Sequence, residues 1–109
     1  MTETIMSDGF DPLGSDGAAA DRAVAFLKTL SHAGRLQILC HLIERDMNVT
    51  ELCAALNESQ ATISQQLMRL RAEGFVQTER QGKNVIYRLV QSEVTPVISA
   101  LREAFCKKA

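Results

Sequence analysis

The chain has no tryptophan, one tyrosine and four phenylalanines among its 109 residues. A core made from it must rest on Leu, Ile, Val, Ala and Met. No apolar run approaches the roughly 20 residues of a membrane-spanning helix, which argues against a helical membrane protein. The N-terminus lacks a basic segment followed by an apolar one, so a secretory signal is not expected. The expectation is a soluble, cytoplasmic protein with no membrane partner. Cysteine is scarce too: Cys40, Cys53 and Cys106 are the only three. In a cytoplasmic setting they fit free, metal-binding or redox-active thiols better than a structural disulfide framework. Neither a Cys–His pair at a plausible spacing nor a phosphate-cradling glycine loop occurs, so an enzyme is not expected and no cofactor is implied.

What is present is 46% hydrophobic residues, enough for one folded domain of modest core. A core of that size makes association with a second copy a ready way to bury more apolar surface. The net charge of −1 is unevenly spread. Residues 1–21 carry Glu3, Asp8, Asp11, Asp16 and Asp21 and no base, whereas residues 22–109 carry 12 basic and 8 acidic groups, a net +4. The reading is a mobile acidic tail over 1–17, rich in Gly, Pro, Ser and Asp, followed by a mildly basic domain over 18–109.

Within that domain the stretch Ser59–Val76, SQATISQQLMRLRAEGFV, organises the rest. Ile63, Leu67 and Leu70 recur at helical spacing and define a buried face. The opposite face holds Ala61, Gln65, Met68 and Ala72, flanked by Thr62, Ser64 and Arg69. Small side chains there permit close approach to a surface. Gln reaches base edges in a major groove, and Ser or Thr reaches bases or phosphates. Ser59 is a good N-cap, with Gln60 at the first turn, and Gly74 suits the left-handed end of the helix.

Ahead of this helix the spacing predicts three others. The first spans Ala18–Leu30, with Ala20, Val24, Leu27 and Leu30 on one stripe. The second runs from Gly34 to Glu44, with Leu36, Leu39, Cys40 and Ile43 on its buried face. The third runs from Val49 to Leu56, where Asn48 and Glu51 resemble a capping box. The third and fourth helices then make a helix-turn-helix. After Gly74 the period changes to alternation over Phe75–Arg80 and Val85–Leu89, a hairpin joined by residues 81–84. Arg80, Lys83 and Arg88 give it positive charge. The fold class expected is mainly α with a small β-hairpin, a winged helix-turn-helix of order α-α-α-α-β-β-α. The reading face of the fourth helix would enter a groove and the hairpin lie over phosphates. The candidate DNA contacts are Ser59, Gln60, Ala61, Thr62, Ser64, Gln65, Arg69, Arg80, Lys83 and Arg88. A last helix, capped by Ser92 or Thr95 with Pro96 in its first turn, carries Val94, Val97, Ile98, Leu101 and Phe105 down to Lys107. Its stripe and that of the first helix exceed what one small domain covers, so a homodimer through the terminal helices is expected.

The stretches LKTLSHAGRLQILCHL (27–42), VTELCAAL (49–56) and SQATISQQLMRLRAEGFVQTERQGKNVIYRL (59–89), with the terminal helix, resemble the ArsR/SmtB superfamily of bacterial winged-helix repressors. The resemblance covers about residues 20–107. It implies a homodimer that binds a palindromic operator and is released by an inducer. Many members sense metals through a paired thiolate at the start of the third helix, ELCVC. Here that stretch reads ELCAA, with Ala55 where the second thiolate would be, and one thiolate is a poor soft-metal site. An Asp and His pattern on the last helix is also absent, so no metal site is assigned. A metal- or metalloid-responsive repressor using Cys thiolates stays open as the alternative. Cys40 in LQILCHL and Cys106 in EAFCKK resemble instead the persulfide-sensing SqrR/BigR subgroup. That resemblance implies that the two thiols react with persulfides or polysulfides, form a polysulfide bridge written as a tetrasulfide, and weaken the grip on the operator, controlling genes that respond to sulfide. Arg102, Lys107 and Lys108 lie close to Cys106 in sequence and would favour its thiolate, so Cys106 is expected to attack first and Cys40 to resolve. Cys53 is not part of this pattern.

Overall fold

The computed structural model describes residues 13–14 and 17–106. The acidic tail expected over 1–17 therefore lies, apart from Leu13, Gly14 and Gly17, outside the described residues. Seven elements follow: α1 (Ala18–Leu30), α2 (Ala33–Glu44), α3 (Val49–Leu56), α4 (Gln60–Ala72), β1 (Val76–Gln81), β2 (Asn84–Leu89) and α5 (Val94–Phe105). The order is the expected one, mainly helical with a single hairpin.

Local signals account for most of the boundaries. At α3 the Asn48 side chain accepts from the Glu51 N–H while the Glu51 carboxylate accepts from the Asn48 N–H, both at 2.8 Å. This reciprocal pair satisfies two donors that a helix start leaves orphaned. Asn57 ends α3 at φ 55, the only non-glycine residue with positive φ among those described. That left-handed residue turns the chain within Asn57–Ser59. Ser59 then opens α4 by accepting from the Thr62 N–H at 3.1 Å. At the far end, Gly74 has φ 82, its N–H reaches Arg71 O and the Phe75 N–H reaches Leu70 O. These two bonds are a Schellman closure, and they deliver Phe75 onto the core.

The core gathers where the helices meet the hairpin. Ile38 and Leu39 from α2, Leu52 from α3, Ile63, Leu67 and Leu70 from α4, and Ile98 from α5 are buried. The hairpin is antiparallel, with Val76 opposite Leu89 and Gln81 opposite Asn84. Its turn is thus only Gly82–Lys83, tighter than the four-residue connection read from the sequence. Gly82, at φ 65, takes the first central position, as a II′ turn requires. Met47, in the α2–α3 link, exchanges two backbone bonds with Tyr87 and ties the hairpin to the helix-turn-helix.

Four expectations need correction. Helix α2 starts at Ala33, one residue before the expected Gly34, because His32 caps it: its Nδ1 accepts from the Gly34 N–H at 3.2 Å. Its deepest stripe is Ile38, Leu39 and Leu42, whereas Leu36, Cys40 and Ile43 flank it half-buried. Neither Ser92 nor Thr95 caps α5. The helix begins at Val94 after Glu93, with no side-chain cap, so Pro96 stands third in it and still falls in the first turn, where its missing N–H leaves no helical bond unmade. Phe26, which the stripe read for α1 omits, stacks on Phe75 with ring centroids 5.1 Å apart, beside the buried Thr29 and Leu30.

Candidate nucleic-acid interface and thiol pair

Helix α4 buries Ile63, Leu67 and Leu70 and turns the opposite side outward. Gln60, Ala61, Gln65 and Arg69 are exposed, and Thr62 and Ser64 are half-buried on its flanks. Met68, 69% exposed, stands on the same face. An exposed surface of small, amide and hydroxyl groups set on a rigid helix is shaped for base edges rather than for a protein core. Ser59 is exposed too, but its hydroxyl is engaged: it accepts from the Thr62 N–H and lies 3.0 Å from the Thr62 hydroxyl. Its first task is to start the helix. Arg69 holds Glu73 at 3.2 Å, an exposed pair worth little and easily exchanged for a phosphate.

The hairpin's cations do not form one patch. The register puts Arg80 on the face shared by Val76, Thr78, Tyr87 and Leu89, and Arg88 on the other. Arg88 is held by two carboxylates, Glu79 on β1 and Asp46 at 3.7 Å. It acts as a clasp between the hairpin and the α2–α3 link. Arg80 and Lys83 are exposed and make no ion pair among the described residues, so the free charge of the hairpin sits at its tip. Sequence reading counted charges along the strands; it could not see which of them the tertiary fold would neutralise.

Two thiols stand on α2 and at the end of α5. Cys40 is half-buried against the core, and Cys106, exposed, closes α5 with its N–H bonded to Arg102 O at 2.8 Å. Burial pushes the Cys40 thiol above its ordinary value of 9.0; the Arg102 guanidinium draws it back, and charge on the Cys106 sulfur raises it further. The two sulfurs are thus within electrostatic reach of each other although 66 positions apart in number, and Arg102 belongs to the surroundings of Cys40. Sequence reading placed that cation beside Cys106 only. Arg102 also holds Glu44 of α2 at 3.4 Å, which pins the end of α5 to α2. Lys107 and Lys108, the other cations expected to act on Cys106, lie outside the described residues. Cys53 is half-buried against the core on α3. Among the described residues no group of three or more His, Cys, Asp or Glu converges as a metal would require.

Residues 32–78, which span α2, the helix-turn-helix and the start of the hairpin, match the bacterial regulatory proteins of the arsR family. Over 97% of its length the chain is 38% identical to the biofilm growth-associated repressor of Agrobacterium fabrum, covering 94% of that protein. The chain belongs to the arsR family. It is also 38% identical to the transcriptional activator HlyU of Vibrio cholerae, over 79% of this chain and 80% of that protein. The crystal structure of the transcriptional repressor BigR from Xylella fastidiosa superposes with a TM-score of 0.78 at 39% identity, covering 82% of this chain and 91% of that one. The winged helix-turn-helix is therefore that of a DNA-binding transcriptional regulator. No helix among the described residues is long and apolar enough to cross a membrane.

Proposed function

We propose that the protein is a homodimeric transcriptional repressor which holds operator DNA when its thiols are reduced and releases it when persulfides join Cys40 to Cys106. The observation that carries this reading is that charge on the Cys106 sulfur, at the end of α5, bears on the Cys40 thiol of α2, while Arg102 of α5 pairs with Glu44 of α2. The similarity to proteins named as repressors supports the direction of regulation.

Thiolates, not thiols, attack sulfur–sulfur bonds. Cys106 is the exposed one, and Cys40 is held protonated by burial, so Cys106 attacks first. Its thiolate takes the terminal sulfur of a persulfide RS–SH and expels the thiolate RS⁻. Two further transfers to the growing chain leave Cys106 bearing three added sulfurs. The Cys40 thiolate then attacks the second of these and expels hydrosulfide. The sum is two thiols and three persulfides giving one tetrasulfide bridge, three thiols RSH and one hydrogen sulfide. A direct disulfide needs Cα atoms usually about 4.4–6.8 Å apart, and a longer sulfur chain relaxes that demand.

Dimerisation is supported by apolar surface that one subunit leaves open. Val24 and Leu27 on α1 are 50% and 56% exposed, and Phe105 on α5 is 78% exposed. Burying an aliphatic side chain contributes roughly 1.5–3 kcal/mol. Because α5 would then belong both to the dimer and to the thiol pair, a bridge that shifts α5 against α2 alters the spacing at which two reading helices meet successive grooves. A coupling of ~1–3 kcal/mol corresponds to roughly 5–150-fold in affinity.

The test is a mobility shift on operator duplex with reduced and persulfide-treated protein. Wild type and Cys53→Ser should lose the shifted band on treatment, whereas Cys40→Ser and Cys106→Ser should keep it. Release of both single variants by persulfide would refute the reading.

A further inference from the structure

At the N-terminus of α2, beside α4, lies a cleft of about 420 Å³ lined by His32, Gln37, His41, Glu58, Thr62 and Gln66 among others. Two side chains meet at its edge with an unmet demand. His32 Nδ1 accepts the α2 cap bond from Gly34, so in the neutral ring the hydrogen sits on Nε2. The orientation of the Gln66 amide is also fixed. Arg35, half-buried, donates through Nε to the Thr29 carbonyl at 2.8 Å and through Nη1 to Gln66 Oε1 at 3.2 Å. Guanidinium nitrogens only donate, so the Gln66 oxygen must face Arg35 and its NH₂ must face away. That NH₂ lies 3.5 Å from His32 Nε2. Two donors face one another there, and neither can accept from the other.

Two donor nitrogens 3.5 Å apart leave room for one shared acceptor oxygen about 2.9 Å from each. Thr62 and Gln66, on the cleft wall, belong to the flank of α4 next to its exposed face, where the backbone of a bound duplex would run. We propose that His32 and Gln66 together bind one phosphate oxygen of the DNA backbone, with Arg35 as the positioning residue that holds the Gln66 amide ready. The proposal rests on α4 being the element that docks on the duplex. Glu58 is the carboxylate that lines the cleft, so the ligand is an oxygen held by directed donors and not an anion drawn by net charge. A contact of this kind fixes the register of the protein on the duplex and carries no sequence information. Sequence reading could not find it, because neither residue is basic in the way a phosphate contact is usually sought.

The test uses the full chain and the duplex enriched by the wild-type protein from a randomised library, with a scrambled duplex of equal length. His32→Asn keeps a good helix cap and removes the reaching Nε2–H. Gln66→Leu removes the second donor without touching the cap. Each should weaken both duplexes by about tenfold, as expected for a hydrogen bond to a charged group, with the melting temperature unchanged in His32→Asn, which leaves the Arg35–Gln66 bond in place. The losses in the double variant should fall short of the sum of the single ones, since both donors serve one oxygen. Methylphosphonate substitution, one phosphate at a time, should reveal a position per half-site where wild type loses affinity and the double variant loses less. Wild-type affinity in His32→Asn, additive losses in the double variant, or the absence of such a phosphate would overturn the proposal while leaving the DNA-binding reading intact. A wild-type protein that enriches no duplex would overturn both.

Discussion

Single side chains decide reactivity and grip. Cys40 is raised chiefly by burial, so its alkylation should be slow at neutral pH and quicken as pH climbs past 9.0. Arg102→Gln should slow it further and Cys106→Ser should quicken it, because each removes one of the charges acting on the thiol. Iodoacetamide labelling followed by peptide mass spectrometry reads this directly, and a Cys40 rate indifferent to both changes would contradict it. The linkage has a definite sign. The folded chain favours the neutral thiol, so the stability it contributes is full below the unfolded value and is lost as pH rises through the folded one. On the DNA side, Gln65→Ala should weaken operator binding and relax base preference. Arg69→Ala and Lys83→Ala should each weaken binding to any duplex and reduce the salt slope by about one. Arg80 is as free as Lys83 and should behave like it. Arg88→Ala should move the salt slope less, because two carboxylates already occupy its charge. Anisotropy titrations at several salt concentrations separate these cases, and equal slopes for all variants would place the reading surface elsewhere.

Elements stand or fall by their ends and by the stripe they bury. Asn48→Ala removes the cap of α3 and the 3.2 Å contact from Asn48 to Asn84 in the hairpin. It should cost about 1 kcal/mol in thermal or urea unfolding. Glu51, whose carboxyl is held below its ordinary value by the Asn48 N–H and then by Arg45, makes the same helix start sensitive to acid. Its contribution is present above the unfolded carboxylate value and is lost as pH falls through the folded one. These ends were legible because their signals are local: Asn48 with Glu51, Ser59 before α4, Gly74 after it. The start of α2 was not, since histidine is an uncommon cap and its role depends on which ring nitrogen carries the proton. The start of α5 was not either, because Ser92 and Thr95 are good caps in principle and the bond made by the Val94 N–H to Gln91 O sets the boundary instead. The division of the hairpin's cations between free and clasped depends on Asp46, some forty residues distant in sequence from Arg88. Pairings of that kind are decided by the tertiary fold and leave no periodic trace.

At the scale of the whole molecule three features meet: the exposed polar face of α4, the open apolar stripe of α1 and α5, and the thiols of α2 and of the end of α5. A Leu27→Glu substitution should drive the protein to monomer in sedimentation velocity at micromolar concentration and abolish tight operator binding. An unchanged sedimentation coefficient would mean that α1 takes no part in the interface. The joining of Cys40 to Cys106 is the claim on which regulation depends, and it has a direct readout. Protein treated with glutathione persulfide, digested without reductant and resolved by mass spectrometry, should yield the Cys40 and Cys106 peptides linked through additional sulfur atoms, with Cys53 free. Separate persulfidated peptides with no link, or a link made through Cys53, would contradict it.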